Sequence, residues 1–116
     1  MRILLSLLAA ILLSTEVHAM RVDLPPKRYD HSHPDLVILE TRFSQVDNMC
    51  RGIFGRRKFE RFGRVLACAA VGNGKSPCIL ILPKAGGSGV SKAERAALFR
   101  HERAHCNGWA GHHPVR

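Results

Sequence analysis

Four cysteines, at positions 50, 68, 78 and 106, place the strongest constraint on how this 116-residue chain can fold. A domain of this size buries little apolar surface and commonly needs crosslinks. An even number of cysteines in so short a chain predicts two disulfides if the chain is exported, with three possible pairings. We expect Cys68–Cys78, because these two residues flank a Gly-rich turn, and therefore Cys50–Cys106. No C-x-x-C spacing is present, which disfavours zinc ligation by the cysteines.

The first residues of the chain predict export. Met1 and Arg2 precede an apolar run over 3–13, and Val17-His18-Ala19 ends the segment with small residues one and three positions before Met20. The run is shorter than the roughly 20 residues that span a bilayer. We therefore predict a signal peptide over 1–19, cleaved after Ala19, a secreted or periplasmic protein, and no stable membrane span after its removal. An uncleaved membrane tether is the alternative.

A large basic excess remains after the predicted cleavage. The formal net charge is +9, and residues 1–19 contain one Arg and one Glu, so residues 20–116 keep +9. This charge predicts attraction to nucleic acid, acidic polymers or lipid headgroups without choosing among them. Residues 51–64 contain six basic residues and three Phe, a pattern typical of single-stranded nucleic-acid binding. We favour the alternative, in which Phe54, Phe59 and Phe62 pack in the core while the basic side chains face solvent, because a domain so poor in aromatic residues needs its Phe inside.

Hydrophobic patterning predicts how the middle of the chain folds. Residues 20–35 contain three prolines and indicate an extended lead-in, in which His31 and His33 belong to a solvated polar arm or, less simply, bind a metal. Apolar residues at 36, 39, 43 and 46 predict a helix over 36–49, although 36–39 also fits a strand. The runs 65–71 and 77–82 on either side of a Gly-Asn-Gly turn predict a β-hairpin.

The last predicted element is a helix that carries a metal-binding motif. Ser91-Lys92-Ala93-Glu94 is a capping box, so we predict a helix from Lys92 to Cys106. Residues 101–105 read H-E-x-x-H, and residues four apart lie on one side of a helix. His101 and His105 can therefore bind one zinc ion, and Glu102 lies beside them as a candidate general base.

The third zinc ligand must come from the short tail or from an upstream segment, because no Asp or Glu follows Glu102. Hydrolytic zinc sites use three protein ligands and keep one position open. Gly108 allows the left-handed turn that ends a helix, which would carry His112 and His113 back towards the metal. We expect Trp109 to seat this turn on the core. Cys106 lies about 100° around the helix from His105, which suits a disulfide better than zinc ligation.

This segment resembles the zincin metallopeptidases, and the H-x-x-G that follows is similar to their metzincin branch. The resemblance implies His101 and His105 as ligands of one zinc per chain, Glu102 as general base, and a peptide or protein substrate. The branch's third His would fall at position 111, which is Gly here, and no Met follows for its Met-turn. The string H-E-x-x-H-C-N-G-W is also similar to that of small exported zincin-like proteins whose tails end in an acidic residue and His-Pro. His113-Pro114 therefore favours His113 over His112.

The sequence thus predicts one small α+β domain over 36–116, with an N-terminal helix, a β-hairpin or small antiparallel sheet and a C-terminal H-E-x-x-H helix, stapled by disulfides. Its predicted function is that of an exported zinc-dependent metallopeptidase-like hydrolase, in which the strand Cys78–Leu82 pairs with an extended peptide. One alternative is a non-catalytic zinc-binding protein, in which both tail histidines, or His31 or His33, close the site. The other is a basic module that binds anionic envelope polymers or nucleic acid.

Overall fold

The computed structural model describes residues 20–60, 63–87 and 89–111. The predicted signal peptide and the tail histidines His112 and His113 lie outside the described residues. The described part contains two α-helices and a three-stranded mixed sheet, which confirms the predicted small α+β fold class. Its helices and strands, in chain order, are β1 Leu36–Thr41, α1 Phe43–Phe54, β2 Cys68–Ala70, β3 Cys78–Pro83 and α2 Lys92–Cys106.

Strand β3 lies at the centre of the sheet, whose order is β1-β3-β2. It runs parallel to β1 and antiparallel to β2, so the predicted hairpin is present as the β2–β3 pair. Both edges of β3 are therefore occupied. The expectation that Cys78–Leu82 pairs with an extended peptide is wrong, because the backbone groups of β3 already bond to its two neighbours.

The alternating side chains of β3 divide the core between the two helices. Ile81 packs with Val46 and Cys50 of α1, whereas Leu80 and Leu82 pack with Leu98 of α2. The helices therefore cover opposite faces of the sheet. The α1-side cluster consists of Val46, Cys50, Phe59, Val65, Cys68 and Ile81. The α2-side cluster consists of Ala67, Cys78, Leu80, Leu82, Val90 and Leu98.

The predicted helix over 36–49 is wrong in its first half. Residues Leu36–Thr41 form β1, in parallel register with β3 from Leu36 opposite Cys78 to Thr41 opposite Pro83. Helix α1 begins only at Phe43 and continues to Phe54. A run of adjacent apolar residues fits a helix face and a strand equally well, and the open edge of β3 decides between them by providing backbone hydrogen bonds.

The structure contains two disulfides, as predicted, but the predicted pairing Cys68–Cys78 and Cys50–Cys106 is wrong. The disulfides join Cys50 to Cys68 and Cys78 to Cys106. Cys68 lies opposite Ile81 in the ladder, three residues along β3 from Cys78, and belongs to the α1-side cluster, whereas Cys78 belongs to the α2-side cluster. Because the two cysteines face opposite sides of the sheet, each bonds to the helix on its own side.

Helix α2 begins and ends where the sequence predicts. The Ser91 Oγ accepts a hydrogen bond from the Glu94 backbone N–H at 3.1 Å, and Glu94 Oε1 accepts one from the Ser91 N–H at 3.0 Å. Both halves of the capping box are therefore formed, and the helix spans Lys92–Cys106. No helix in the described ranges is long and apolar enough to cross a bilayer.

The predicted lead-in lies against α2. The backbone N–H of Met20 donates to Glu94 Oε2 at 2.9 Å, near the start of the helix. Farther along, the Asp30 carboxylate accepts hydrogen bonds from Arg100 and Arg103, and the hydrogen bond from Arg100 is the main cause that lowers the pKa of Asp30. At the helix end, Asn107 Nδ2 donates to the backbone carbonyls of residues 29 and 31. The lead-in thus contacts α2 along its whole length.

We predict that the two disulfides can be removed separately with similar costs. The bonded cysteines are 18 and 28 residues apart, so the loss of loop-closure entropy predicts that each Cys→Ala pair lowers the free energy of unfolding by about 3 to 4 kcal/mol. Denaturant titration of Cys50→Ala/Cys68→Ala and Cys78→Ala/Cys106→Ala measures both. Mass spectrometry of non-reduced peptides checks the connectivity, and a fragment that joins residue 68 to residue 78 would contradict it.

Candidate metal centre

The side chains of the H-E-x-x-H motif share one face of α2 with the core residue Leu98, since residues three, four and seven positions apart lie on the same side of a helix. His101 and Glu102 are 1% and 5% exposed, and His105 is half-buried. The centroids of the two imidazole rings are 5.1 Å apart. The structure therefore brings both predicted histidines and the predicted general base together on the inner side of the helix.

Two backbone carbonyls orient the histidine rings. The Nδ1 atom of His101 lies 2.5 Å from the carbonyl oxygen of Asp23, and that of His105 lies 2.6 Å from the carbonyl oxygen of Trp109. A carbonyl oxygen only accepts hydrogen bonds, so each Nδ1 carries a hydrogen, and in the neutral form of each ring the lone pair is then on Nε2. Metal-binding histidines commonly have one ring N–H held in this way. The donor set therefore suits zinc.

Trp109 packs against both histidines. Its ring lies parallel to that of His105, at an interplanar angle of 12° and a centroid distance of 5.2 Å. It meets the His101 ring edge-on, with the centroids 4.9 Å apart. Trp109 therefore packs on both histidine rings and limits how they can move. The expectation that it seats the turn on the core stays a prediction.

The turn that places Trp109 is a helix-ending motif built around Gly108. The φ angle of Gly108 is +99°, in the left-handed region that favours glycine. Its N–H donates to the carbonyl of His105 at 3.2 Å, and the N–H of Trp109 donates to that of Ala104 at 3.0 Å. This pair of bonds is the Schellman pattern. The predicted turn at Gly108 is confirmed, and it returns the Trp109 carbonyl to His105.

Glu102 is a buried carboxyl next to the two histidines. Loss of hydration in this position raises the pKa of Glu102 to about 8. Burial penalises the charged form of the carboxyl and so favours its protonated form. A carboxyl whose pKa is near neutral can accept and release a proton at physiological pH.

The third predicted ligand is not among the residues that the structure describes. Within these residues, no three side chains of the His, Cys, Asp and Glu types come together as a metal-binding group. His31 Nδ1 bonds to the carbonyl of Ser32, and His33 Nδ1 accepts from the N–H of Asp35, so both rings bond within their own loop. Since His112 and His113 lie outside the described residues, a tail ligand stays a prediction.

The lead-in is part of this site, although its sequence does not indicate so. The Asp23 carbonyl, which orients His101, is a backbone group and has no residue-type signature. The only available signal is the apolar pair Met20 and Val22, whose side chains pack against the α2-side cluster. Such a short pattern is common in loops, so the contact emerges only from the folded structure.

Part of the basic segment 51–64 packs against the α1-side cluster. Phe59 is buried in the α1-side cluster, and its ring meets that of Phe54 edge-on, with the centroids 6.0 Å apart. The packing alternative is therefore confirmed for Phe59, while Phe62 lies outside the described residues. The Arg51 guanidinium donates to the Asp47 carboxylate and to the carbonyls of residues 59 and 63. Arg56 and Arg57 are exposed.

Comparison with known proteins finds no match for this chain. No model of a known family matches the chain, and neither the curated proteins nor the solved structures give a significant match. The resemblance to the zincins therefore depends on the residues of α2 and of the turn that follows it.

We predict that Gly108→Ala disturbs the orientation of His105. A left-handed alanine costs roughly 1–2 kcal/mol of stability, and relaxation of the turn moves the Trp109 carbonyl away from Nδ1. In ¹⁵N NMR spectra of the metal-free protein, we expect the ring of His105 to change from the Nδ1–H tautomer to a mixture of tautomers.

Gly52→Ala is the matched control for this substitution. Gly52 lies inside α1, and an added Cβ would have no heavy atom within 4 Å. We expect it to raise stability by up to about 1 kcal/mol and to leave the histidine tautomers unchanged. An unchanged His105 tautomer in Gly108→Ala would contradict the orienting role of the turn.

Proposed function

We propose that this protein is an exported, zinc-dependent peptidase-like hydrolase that acts outside the cytoplasm. The observation that carries the proposal is the paired arrangement of His101 and His105, each with Nδ1 held by a backbone carbonyl, beside the buried carboxyl of Glu102. The signal-like sequence at 1–19 supports export.

The residues suggest how one zinc ion per chain would be held. His101 and His105 would bind it through Nε2, and one tail histidine would complete the set of three protein ligands. His113 is preferred to His112 because it precedes Pro114, as the resemblance implies. Zinc, when bound, would polarise the scissile carbonyl and make the attacking water more acidic.

Glu102 supplies the proton transfers in this proposal. Its carboxylate would accept a proton from the attacking water and then deliver it to the departing amine. The burial of Glu102 limits its exchange with bulk water and favours transfer of the proton within the site. His101 and His105 would each use Nε2 for the metal, because Nδ1 of each ring is already bonded to a carbonyl.

We predict that Glu102→Gln abolishes hydrolysis while leaving zinc bound. Glutamine has nearly the same shape as glutamate and cannot accept the proton, whereas His105→Ala should lose the metal itself. The measurements are zinc content per chain and cleavage of unfolded casein or of a peptide library, in the oxidised protein with zinc supplied. Glu60→Gln and His33→Ala, which change exposed or partly exposed residues outside the site, are the controls and should retain both properties.

The outcomes of this experiment separate the candidate functions. Zinc at one per chain without cleavage by the wild type contradicts the peptidase proposal and favours a closed, non-catalytic zinc site. Absence of zinc from the wild type contradicts both. Cleavage that survives in Glu102→Gln contradicts the assignment of the general base.

A second candidate function is binding of an anionic polymer by the turn that follows α1. Arg51 holds this turn by donating to the carbonyls of residues 59 and 63 and to the Asp47 carboxylate, and Asp47 Oδ1 also accepts from the Val65 N–H at 2.7 Å. Arg56 and Arg57 are exposed on the turn thus held. Since Phe59 is buried, we propose recognition by charge, without base stacking on this ring.

We predict that Arg56→Gln/Arg57→Gln weakens binding to heparin or to single-stranded DNA and flattens its salt dependence. Each lost contact to a charged group reduces by about 1 the steepness of the fall in log K, the logarithm of the association constant, with log salt concentration. Lys84→Gln/Lys92→Gln, which removes two exposed charges elsewhere, is the charge-matched control. Equal effects of the two double variants would show that only net charge matters and would exclude a specific surface on this turn.

A further inference from the structure

The backbone nitrogen of Met20 lies 2.9 Å from Glu94 Oε2, across 74 residues of sequence. The other carboxylate oxygen, Oε1, accepts the N–H of Ser91 in the capping box. Hydrogen bonds from the N–H of Ser91 and then from that of Met20 are the main causes that lower the pKa of Glu94. The carboxylate is therefore ionised and directed at the first residue after the predicted cleavage site.

We propose that removal of residues 1–19 turns the Met20 nitrogen into an α-ammonium that forms an ion pair with Glu94 and so fixes the lead-in over the candidate metal centre. Hydrolysis of the Ala19–Met20 bond by a signal peptidase consumes one water. It leaves a carboxylate on Ala19 and an ammonium on Met20. The new ammonium occupies the place where a neutral N–H donates in the uncleaved chain.

The stability gained on cleavage comes from the new positive charge on Met20. An ammonium donates a charge-assisted hydrogen bond to a carboxylate, which is roughly twice as strong as a bond between neutral groups. The position is close to the N-terminus of α2, where the helix dipole opposes a positive charge. The carboxylate of Glu94 is therefore what makes an ammonium favourable there, and without it the same ammonium should destabilise the protein.

The lead-in connects this ion pair to His101. Met20 and Val22 pack against the α2-side cluster, and the carbonyl of Asp23, three residues after Met20, lies 2.5 Å from His101 Nδ1. Anchoring the first residue restricts how far this carbonyl can move from the ring. Glu94 is thus a positioning residue for the centre, a role that rests on the proposed zinc ligation by His101.

The test compares four precursors. Two have the natural junction between Ala19 and Met20, and two have Gly-Ser inserted there. One of each pair keeps Glu94 and the other carries Glu94→Gln. After export, the insertion leaves the Met20 amide N–H in place but moves the ammonium two residues away. Glu94→Gln removes the charge and keeps a residue that can fill the capping box. N-terminal sequencing identifies the mature ends, and thermal unfolding of the metal-free proteins reports the ion pair.

We expect the protein that begins at Met20 to melt above the inserted one by a few degrees, at most about 8 °C. In Glu94→Gln this difference should vanish or change sign, because the ammonium then meets only the helix dipole. Equal melting temperatures with Glu94 present, or a mature end other than Met20, would overturn the proposal. These readouts need no zinc, so they are independent of the proposed hydrolase activity.

Zinc affinity, measured well below the melting temperature, tests the positioning role. We expect the insertion to weaken zinc binding by up to about tenfold, the lower range for loss of a group that orients a ligand. Ser91→Ala removes the cap without touching Met20, and it should lower stability but leave zinc affinity unchanged. If the insertion lowers the melting temperature but leaves the zinc affinity unchanged, the ion pair is confirmed and its link to His101 is refuted. If no variant binds zinc, the proposed function and the positioning role both fail, while the ion pair still stands on its melting data.

Discussion

The arrangement of this protein depends on β3, a strand that is paired on both edges and covered on both faces. Because its side chains alternate, one short strand provides the inner surface of two separate clusters. That alternation also fixes which cysteines can meet, since Cys68 and Cys78 lie on opposite faces although they belong to adjacent strands. Each helix is consequently bonded to the sheet by a cysteine of its own layer.

The candidate metal centre combines distant parts of the chain on one helix. Residues 20–31 contact α2 from Glu94 near its start to Asn107 just after its end, while the turn at Gly108 closes that end. His101 is oriented by a carbonyl from the first of these segments, and His105 by a carbonyl from the second. The two hydrogen bonds are separate, but Trp109 contacts both rings. A change in the lead-in should therefore act first on His101, whereas a change in the turn should reach both rings.

The sequence predicted most reliably what is encoded by local side-chain chemistry. The limits of α2 follow from Ser91, Glu94 and Gly108, because each of these residues acts within one turn of a helix end and can be recognised in the sequence. The H-E-x-x-H residues share a face because helix geometry alone requires it. The disulfide pairing and β1 were predicted wrongly, since both depend on which face and which edge of β3 is available, a property of the whole sheet. The Asp23 carbonyl could not be predicted, because every residue has the same backbone group.

The same face of α2 serves the core at Leu98 and the candidate centre at His101, Glu102 and His105. A small domain that places polar groups in its interior loses apolar contacts there, and Glu102 adds a desolvation cost. The Cys78–Cys106 disulfide lies at the same end of α2 as these residues and joins it to the central strand. By restricting the unfolded chain, that bond offsets part of the stability lost to the polar face. The site and the disulfide are therefore linked through stability, because the crosslink compensates for apolar contacts that the polar residues at this end of α2 do not make.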